Sequence, residues 1–192
     1  MSLSLTTLLN TCWILFVLYW IWSARQVKST ARTEAAASRL LKYWLPLALA
    51  FVLMEPTPWV RSGMLGARFV PEWQGIALFS LLLTIVGLLF ACWARVVLGN
   101  NWSAVVQLKQ DHELIERGPY RFVRHPIYTG LLLAFLGTAL GLGEWRGLLG
   151  AAIVALSFWR KLRLEERWLG EQFGAAYADY MRRVKALIPW VL

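Results

Sequence analysis

Gly118-Pro119-Tyr120-Arg121-Phe122-Val123-Arg124-His125-Pro126-Ile127-Tyr128-Thr129-Gly130 is dense in Arg, Tyr, Gly and Pro and holds one of the chain's two histidines. It leads directly into an apolar run, Ile127 to Gly143. Pro126 suits the first turn of a helix, where its missing N–H costs nothing. The loop therefore hands over to a helix at about His125, with His125 near the N-cap. Free N–H groups and the positive dipole end would suit an anion there. This pattern predicts one wall of a ligand site at a membrane surface.

Outward from that stretch the chain is mostly apolar. It has 192 residues, 58% of them hydrophobic, and 12 Trp. A soluble domain is closer to half apolar, and long uncharged runs point to the bilayer. The length suits one domain over residues 1–192. A net charge of +9 would also fit nucleic acid, but the basic residues lie between apolar spans and no nucleic-acid motif occurs. Cys12 and Cys92 each sit inside an apolar run and read as buried small hydrophobes. With two histidines, no metal constellation is visible.

Five spans are expected: Leu5 to Trp22, Tyr43 to Val60, Trp73 to Ala94, Ile127 to Gly143 and Gly147 to Trp159. Leu5 to Trp22 lacks the basic segment that precedes a signal peptide's apolar core, so it reads as a helix that stays. The second span carries Glu55, Pro56 and Pro58 near its end, and its helix should stop near Met54. Residues 23–42 read as a basic loop, partly helical through Ala35-Ala36-Ala37, and residues 99–125 as a polar loop. Gly141, Gly143 and Gly147 permit a tight turn between the last two spans. The fifth helix should run on into Arg160-Lys161-Leu162-Arg163, and Pro189 should end any helix in the tail.

Charge orients these spans. Residues 23–42, 95–126 and 160–185 hold five, five and seven Lys or Arg; residues 61–72 and 144–146 hold two and one. The 17-to-3 split places the N-terminus outside and the C-terminus in the cytoplasm. The fold class expected is thus all-α: a polytopic membrane protein of about five transmembrane helices, with a cytoplasmic site formed by loops and a C-terminal helix.

A second polar cluster, Arg160-Lys161-Leu162-Arg163-Leu164-Glu165-Glu166-Arg167, reads by charge pattern alone as a solvated helix end. The hairpin alters that reading. Two antiparallel helices of similar length bring Glu165 back to the level of His125. Glu166, about 100° further around the helix, is expected to matter less. Taken singly, His125 is better explained as a cap and His112 as an exposed loop residue. Tyr120 and Tyr128 would serve as interfacial aromatics, and Gln107 as a loop amide. Their ordered co-occurrence carries the signal.

That order resembles the isoprenylcysteine carboxyl methyltransferase family and its relatives among integral-membrane phospholipid methyltransferases. The matching pieces are Asn101-Trp102-Ser103, Val106-Gln107, His112-Glu113-Leu114, Gly118-Pro119-Tyr120-Arg121 and Arg124-His125-Pro126-Ile127-Tyr128-Thr129-Gly130. They continue with Glu165-Glu166, Phe173-Gly174, Tyr177, Tyr180 and Ile188-Pro189. The resemblance covers residues 99–192. The Arg-His-Pro-x-Tyr-x-Gly element alone is shared with some membrane sterol reductases; with the downstream Glu-Glu and Phe-Gly-x-x-Tyr it is more specific.

The resemblance implies methyl transfer from S-adenosylmethionine to a membrane-embedded acceptor, such as the carboxylate of an isoprenylcysteine-like or other lipophilic substrate. It implies that Gln107, His112, Leu114, Pro119, Tyr120, His125, Pro126 and Tyr128 line the cofactor, with Glu165 closing the site. Tyr120 or Tyr128 would offer an aromatic face to the sulfonium. The family pattern places an Arg four residues before the Glu. Here Lys161 stands there, with Arg160 and Arg163 beside it, which leaves the acceptor-facing cation open between Lys161 and Arg163. The partners implied are a lipophilic or prenylated substrate and membrane lipids, not nucleic acid. The alternatives are a phospholipid amine N-methyltransferase and a non-catalytic lipid- or partner-binding membrane protein.

Overall fold

A computed structural model describes residues 4–25, 30–33, 37, 40–55, 63–102, 107–109 and 113–191. Its helices are α1 (Leu5–Ser23), α2 (Leu45–Met54), α3 (Gln74–Leu98), α4 (Pro126–Leu142), α5 (Trp145–Phe173) and α6 (Ala175–Arg183). The first five fall on the five expected apolar runs. Helix α2 is entered through a π-turn at Leu40–Trp44, with Pro46 in its first turn, and stops at Met54 as Glu55 and Pro56 dictate. Helices α1 and α3 are long and apolar enough to cross a membrane, while the apolar stretches Leu40–Met54 and Pro126–Leu142 are shorter.

The chain is all-helical in class, and one short strand pair lies in its connecting segments. Strand β1 (Thr30–Thr33) pairs antiparallel with β2 (Gln107–Lys109), Thr30 opposite Lys109 and Thr33 opposite Gln107. Both segments read as loops in the sequence. Their backbone groups need partners, and two extended loops lying side by side supply them. Of Ala35-Ala36-Ala37, where helix was expected, Ala37 is helical, and Ala35 and Ala36 lie outside the described residues.

Small residues bring α3 and α4 together. A Cβ on Gly87 would lie 2.5 Å from the Gly130 carbonyl oxygen, and one on Gly130 would lie 2.5 Å from that of Gly87. Ala91, Ala134 and Thr84 complete this seam, and the Thr84 hydroxyl returns to the Ser80 carbonyl. Apolar surface gains little by leaving lipid for protein, so close backbone approach is what holds such helices together. Helix α1 is fastened by the Trp13 Nε1–H, which donates to Thr138 Oγ1 at 3.0 Å.

Gly143 ends α4 in the left-handed conformation at φ 66°, and Glu144 begins α5. Helix α5 then runs unbroken for 29 residues, as the helix-forming Leu, Arg, Lys and Glu after Trp159 allow. Gly174, at φ 54°, separates it from α6. Past α6 the chain turns back as a strap: the Lys185 and Ala186 carbonyls accept from the Arg124 and His125 N–H groups, and the Leu187 carbonyl from Thr129 Oγ1. Leu187 and Ala186 pack with Tyr128 and Leu162 beneath it.

The connections sort into two ends. The β1–β2 pairing ties residues 30–33 to 107–109, and the strap ties residues 124–129 to the C-terminal segment. At the other end, Arg68 bridges to Glu144, and Arg146 Nη1 donates to the Leu53 and Glu55 carbonyls. The three basic segments therefore share one end of the bundle, as the charge count groups them.

Candidate functional site

Pro126 at N1 starts α4, and His125 holds the N-cap position. The side chain does not cap, however. It is 7% exposed and lies between two carboxylates, with Nδ1 3.5 Å from Glu165 Oε2 and Nε2 3.3 Å from Glu166 Oε1. The anion expected at this helix start is thus supplied by the chain itself, through the imidazole. Arg124 donates from Nε at 3.0 Å and from Nη2 at 2.5 Å to Glu166 Oε1, and from Nη1 to the Val184 carbonyl. Tyr128 donates its hydroxyl to Glu165 Oε1 at 2.5 Å.

Glu166 is therefore not the lesser carboxylate that its position around the helix suggested. Two neighbouring helix residues point about 100° apart, and a ring with nitrogens on opposite edges bridges that angle. Burial alone would lower the His125 pKa. The bonds to Glu165 and Glu166 outweigh it and raise the value above 6.5. Burial would raise both carboxyl groups. His125 and Lys161 hold Glu165 below its usual range, and His125 and Arg124 do the same for Glu166. The knot is thus a charged network in which each buried charge has an opposite partner.

One face of this knot opens on a cavity of about 890 Å³. Lys161, Glu165, His125 and Tyr120 wall its polar end, and apolar side chains of α1, α2 and α4 such as Trp13, Phe16, Phe51 and Phe135 wall the rest. Lys161 Nζ sits 5.5 Å from the Tyr128 ring centroid and 5.7 Å from that of Tyr43. Tyr128 also stacks with His125, centroids 5.6 Å apart at 13°, and packs against Phe158. Its ring also lines the cavity. Tyr120 is buried, its hydroxyl 3.4 Å from the Ala94 carbonyl, and burial raises its pKa, which keeps it neutral.

The other expected residues divide. Pro119 is buried in the turn Gly118–Arg121, while Leu114 packs against Tyr177, Tyr180 and Val184 beside the strap. Gln107 lies in β2, and His112 lies outside the described residues. Arg163 faces outward over the Trp159 ring at 5.8 Å and does not reach the cavity. Of the two candidate cations, the structure brings Lys161 to the cavity. Sequence reasoning passed over Arg124 as a site residue and missed the walls supplied by α1 and α2. Arg124 had a signal in its place beside His125; the apolar walls carried none.

The long apolar helices α1 and α3 beside this cavity point to a helical membrane protein. Residues 76–176 match the phospholipid methyltransferase family. The chain is 27% identical over 163 residues to a probable protein-S-isoprenylcysteine O-methyltransferase of Oryza sativa, covering 83% of each. It is 29% identical to protein-S-isoprenylcysteine O-methyltransferase A of Arabidopsis thaliana, covering 84% of this chain and 81% of that one. It is 35% identical to the protein-S-isoprenylcysteine O-methyltransferase of Schizosaccharomyces pombe, covering 51% and 43%. The chain belongs to the phospholipid methyltransferase family, and its chemistry is methyl transfer.

Proposed function

We propose that this single domain is an S-adenosylmethionine-dependent carboxyl methyltransferase whose acceptor is an isoprenylcysteine-like carboxylate with its apolar chain in the bilayer. The observation that carries the reading is the cavity, polar at the Lys161–Glu165–His125 end and apolar along α1, α2 and α4. The names of the rice and Arabidopsis relatives support the acceptor class. In this reading five helices span the membrane, the N-terminus lies outside, and the knot faces the cytoplasm; the charge count supports that orientation.

S-adenosylmethionine supplies a methyl group on a sulfonium. The chain's residues fit a cationic donor: the Glu165 side chain, 23% exposed, faces the cavity with its charge retained. His125 and Tyr128 hold that carboxylate in place, and Pro119, Tyr120 and Pro126 shape the wall beside it. Gln107, His112 and Leu114 complete the donor side in this reading. Lys161, aligned by Glu165 and Tyr128, attracts the acceptor carboxylate. A carboxylate is already a nucleophile, so no general base is needed. Positioning and exclusion of water by the aromatic walls do the work. An amine acceptor would have to lose a proton first, and it would meet the Lys161 ammonium.

Labelled-methyl transfer to prenylcysteine analogues, fatty acids and phosphatidylethanolamine tests the reading, alongside calorimetric binding of S-adenosylhomocysteine. Methylation of the prenylcysteine carboxylate is expected. Transfer confined to phosphatidylethanolamine would assign the amine chemistry instead, and no homologue binding would leave a lipid-binding protein.

A further inference from the structure

The strap beyond α6 runs beside the start of α4 and in the same direction. Lys185 lies against Val123, and the Leu187 carbonyl reaches Thr129, so the strap descends with α4 toward the apolar body of the bundle. Leu187 packs at the level of Tyr128, Phe158 and Leu162. The chain then reverses: the Val191 N–H donates to the Ile188 carbonyl at 3.1 Å, with Pro189 and Trp190 at the corner. Trp190 takes φ 63°, the only positive φ outside glycine among the described residues. After a proline, that corner position is one that glycine usually fills.

Trp190 is 90% exposed, Val191 73% and Ile188 50%. A bulky residue held in the left-handed region costs energy, and an indole in open space returns none of it. Contact from outside the chain would. The level of the turn says what lies there. Trp159, next to Phe158 on α5, is also exposed, and the Arg163 guanidinium lies 5.8 Å from its ring, one helical turn nearer the basic end of the bundle. The strap repeats that order, with exposed Lys185 nearer the basic end and Trp190 beyond it. An indole with a long cation on its watery side is the pattern of a membrane–water interface. Three residues at ~3.3 Å each keep Trp190 within ~10 Å of Leu187, so the turn stays close to that level.

We infer that the turn Ile188–Val191 is a lipid-docking foot: Trp190 seats at the boundary of headgroups and acyl chains, and Lys185 meets anionic headgroups. This rests on the spanning arrangement proposed above and not on the identity of the acceptor. The lipid surface then lies against the strap that holds the Arg124 and His125 N–H groups.

A photo-cross-linking residue, p-benzoylphenylalanine, in place of Trp190 tests it. The same residue in place of Leu82, on the exposed face of α3, is the control. The full chain is irradiated in nanodiscs of equal phosphatidylcholine and phosphatidylglycerol, and its intact mass is measured. A phospholipid adduct is expected at both positions. At position 190 phosphatidylglycerol should be favoured about fivefold, the effect of one basic residue near an anionic surface, and Lys185→Gln should bring the two lipids close to parity. An adduct in place of Leu82 with none in place of Trp190 overturns the inference alone. No adduct at either position overturns the spanning arrangement and the inference with it. Equal labelling of the two lipids while Lys185 is present overturns the headgroup contact. In native membranes, labelling of another polypeptide at position 190 instead of lipid would make the turn a protein contact and overturn the docking.

Discussion

Each end of the helical bundle buries an arginine against a glutamate, and the two pairs are built differently. At the turn between α4 and α5, Arg146 is 1% exposed; its Nε meets Glu144 Oε2 at 2.5 Å and its Nη1 the Leu53 and Glu55 carbonyls at 2.8 and 2.7 Å. At the opposite end, the Arg124–Glu166 pair is one member of a larger set. His125 bridges it to a second carboxylate, and Lys161 and Glu165 face a cavity. A charge closed on its own chain marks a clamp. Charges linked into one network beside an apolar-walled cavity mark the candidate site.

Substitutions can break this contrast. Arg146→Met leaves Glu144 buried without its partner and should cost about 3–5 kcal/mol of stability. A lower unfolding temperature in detergent is expected, with turnover per folded molecule nearly unchanged. Normal stability with lost turnover would mean that the clamp belongs to the active machinery.

His125→Ala should act in the reverse sense. The helices remain, while the two carboxylates lose their shared partner. S-adenosylhomocysteine affinity is expected to fall at least about a hundredfold, roughly 2.7 kcal/mol, with the helical signal retained. An unchanged dissociation constant would reduce His125 to a structural bridge.

The two carboxylates sharpen the comparison within the knot. Glu165→Gln should lower methyl transfer at least about tenfold, or roughly 1.4 kcal/mol of barrier. Glu166→Gln, although turned from the cavity, should come close to it because it holds both Arg124 and His125. Rates of labelled-methyl transfer decide the matter; two harmless substitutions would make the knot a structural feature and not part of the active site.

The smallest expected effect is on the pH profile of stability. His125 titrates above 6.5, so its ion pairs stabilise fully below 6.5 and fade as pH rises through the raised value. Glu165 and Glu166 titrate below 4.5; their contribution is complete above 4.5 and fades as pH falls through the lowered values. Unfolding temperature should therefore hold level between 4.5 and 6.5 and decline on both sides. In His125→Ala the part of the alkaline decline due to the knot should vanish, which a pH series of melts would show.

These contrasts also explain what the sequence disclosed. The helices were legible because uncharged runs between Pro, Gly and charge have few alternatives. The return of Glu165 to His125 was legible because Gly143 sets a tight turn and the two helices are of similar length. The bonding of Glu166 was not, since spacing along a helix does not tell which way the helix is rotated. The strap was hidden for a different reason: its grip on Arg124, His125 and Thr129 uses main-chain carbonyls, which any residue carries. The cavity walls from α1 and α2 were equally silent, because a Trp or Phe that lines a cavity looks in sequence like one that faces lipid.

Helix α5 bears on something beyond the site. It carries Arg146 near one end and Glu165 near the other without a break. Nineteen residues at ~1.5 Å each separate the two by ~28 Å, close to the ~30 Å of a bilayer's hydrocarbon layer. In the proposed spanning arrangement the helix is a rod of set length with a fixed fitting at either tip. A thinner or thicker membrane cannot stretch it and must tilt it instead. In that arrangement the tilt would carry along α5 to the His125 side, and turnover would follow bilayer thickness.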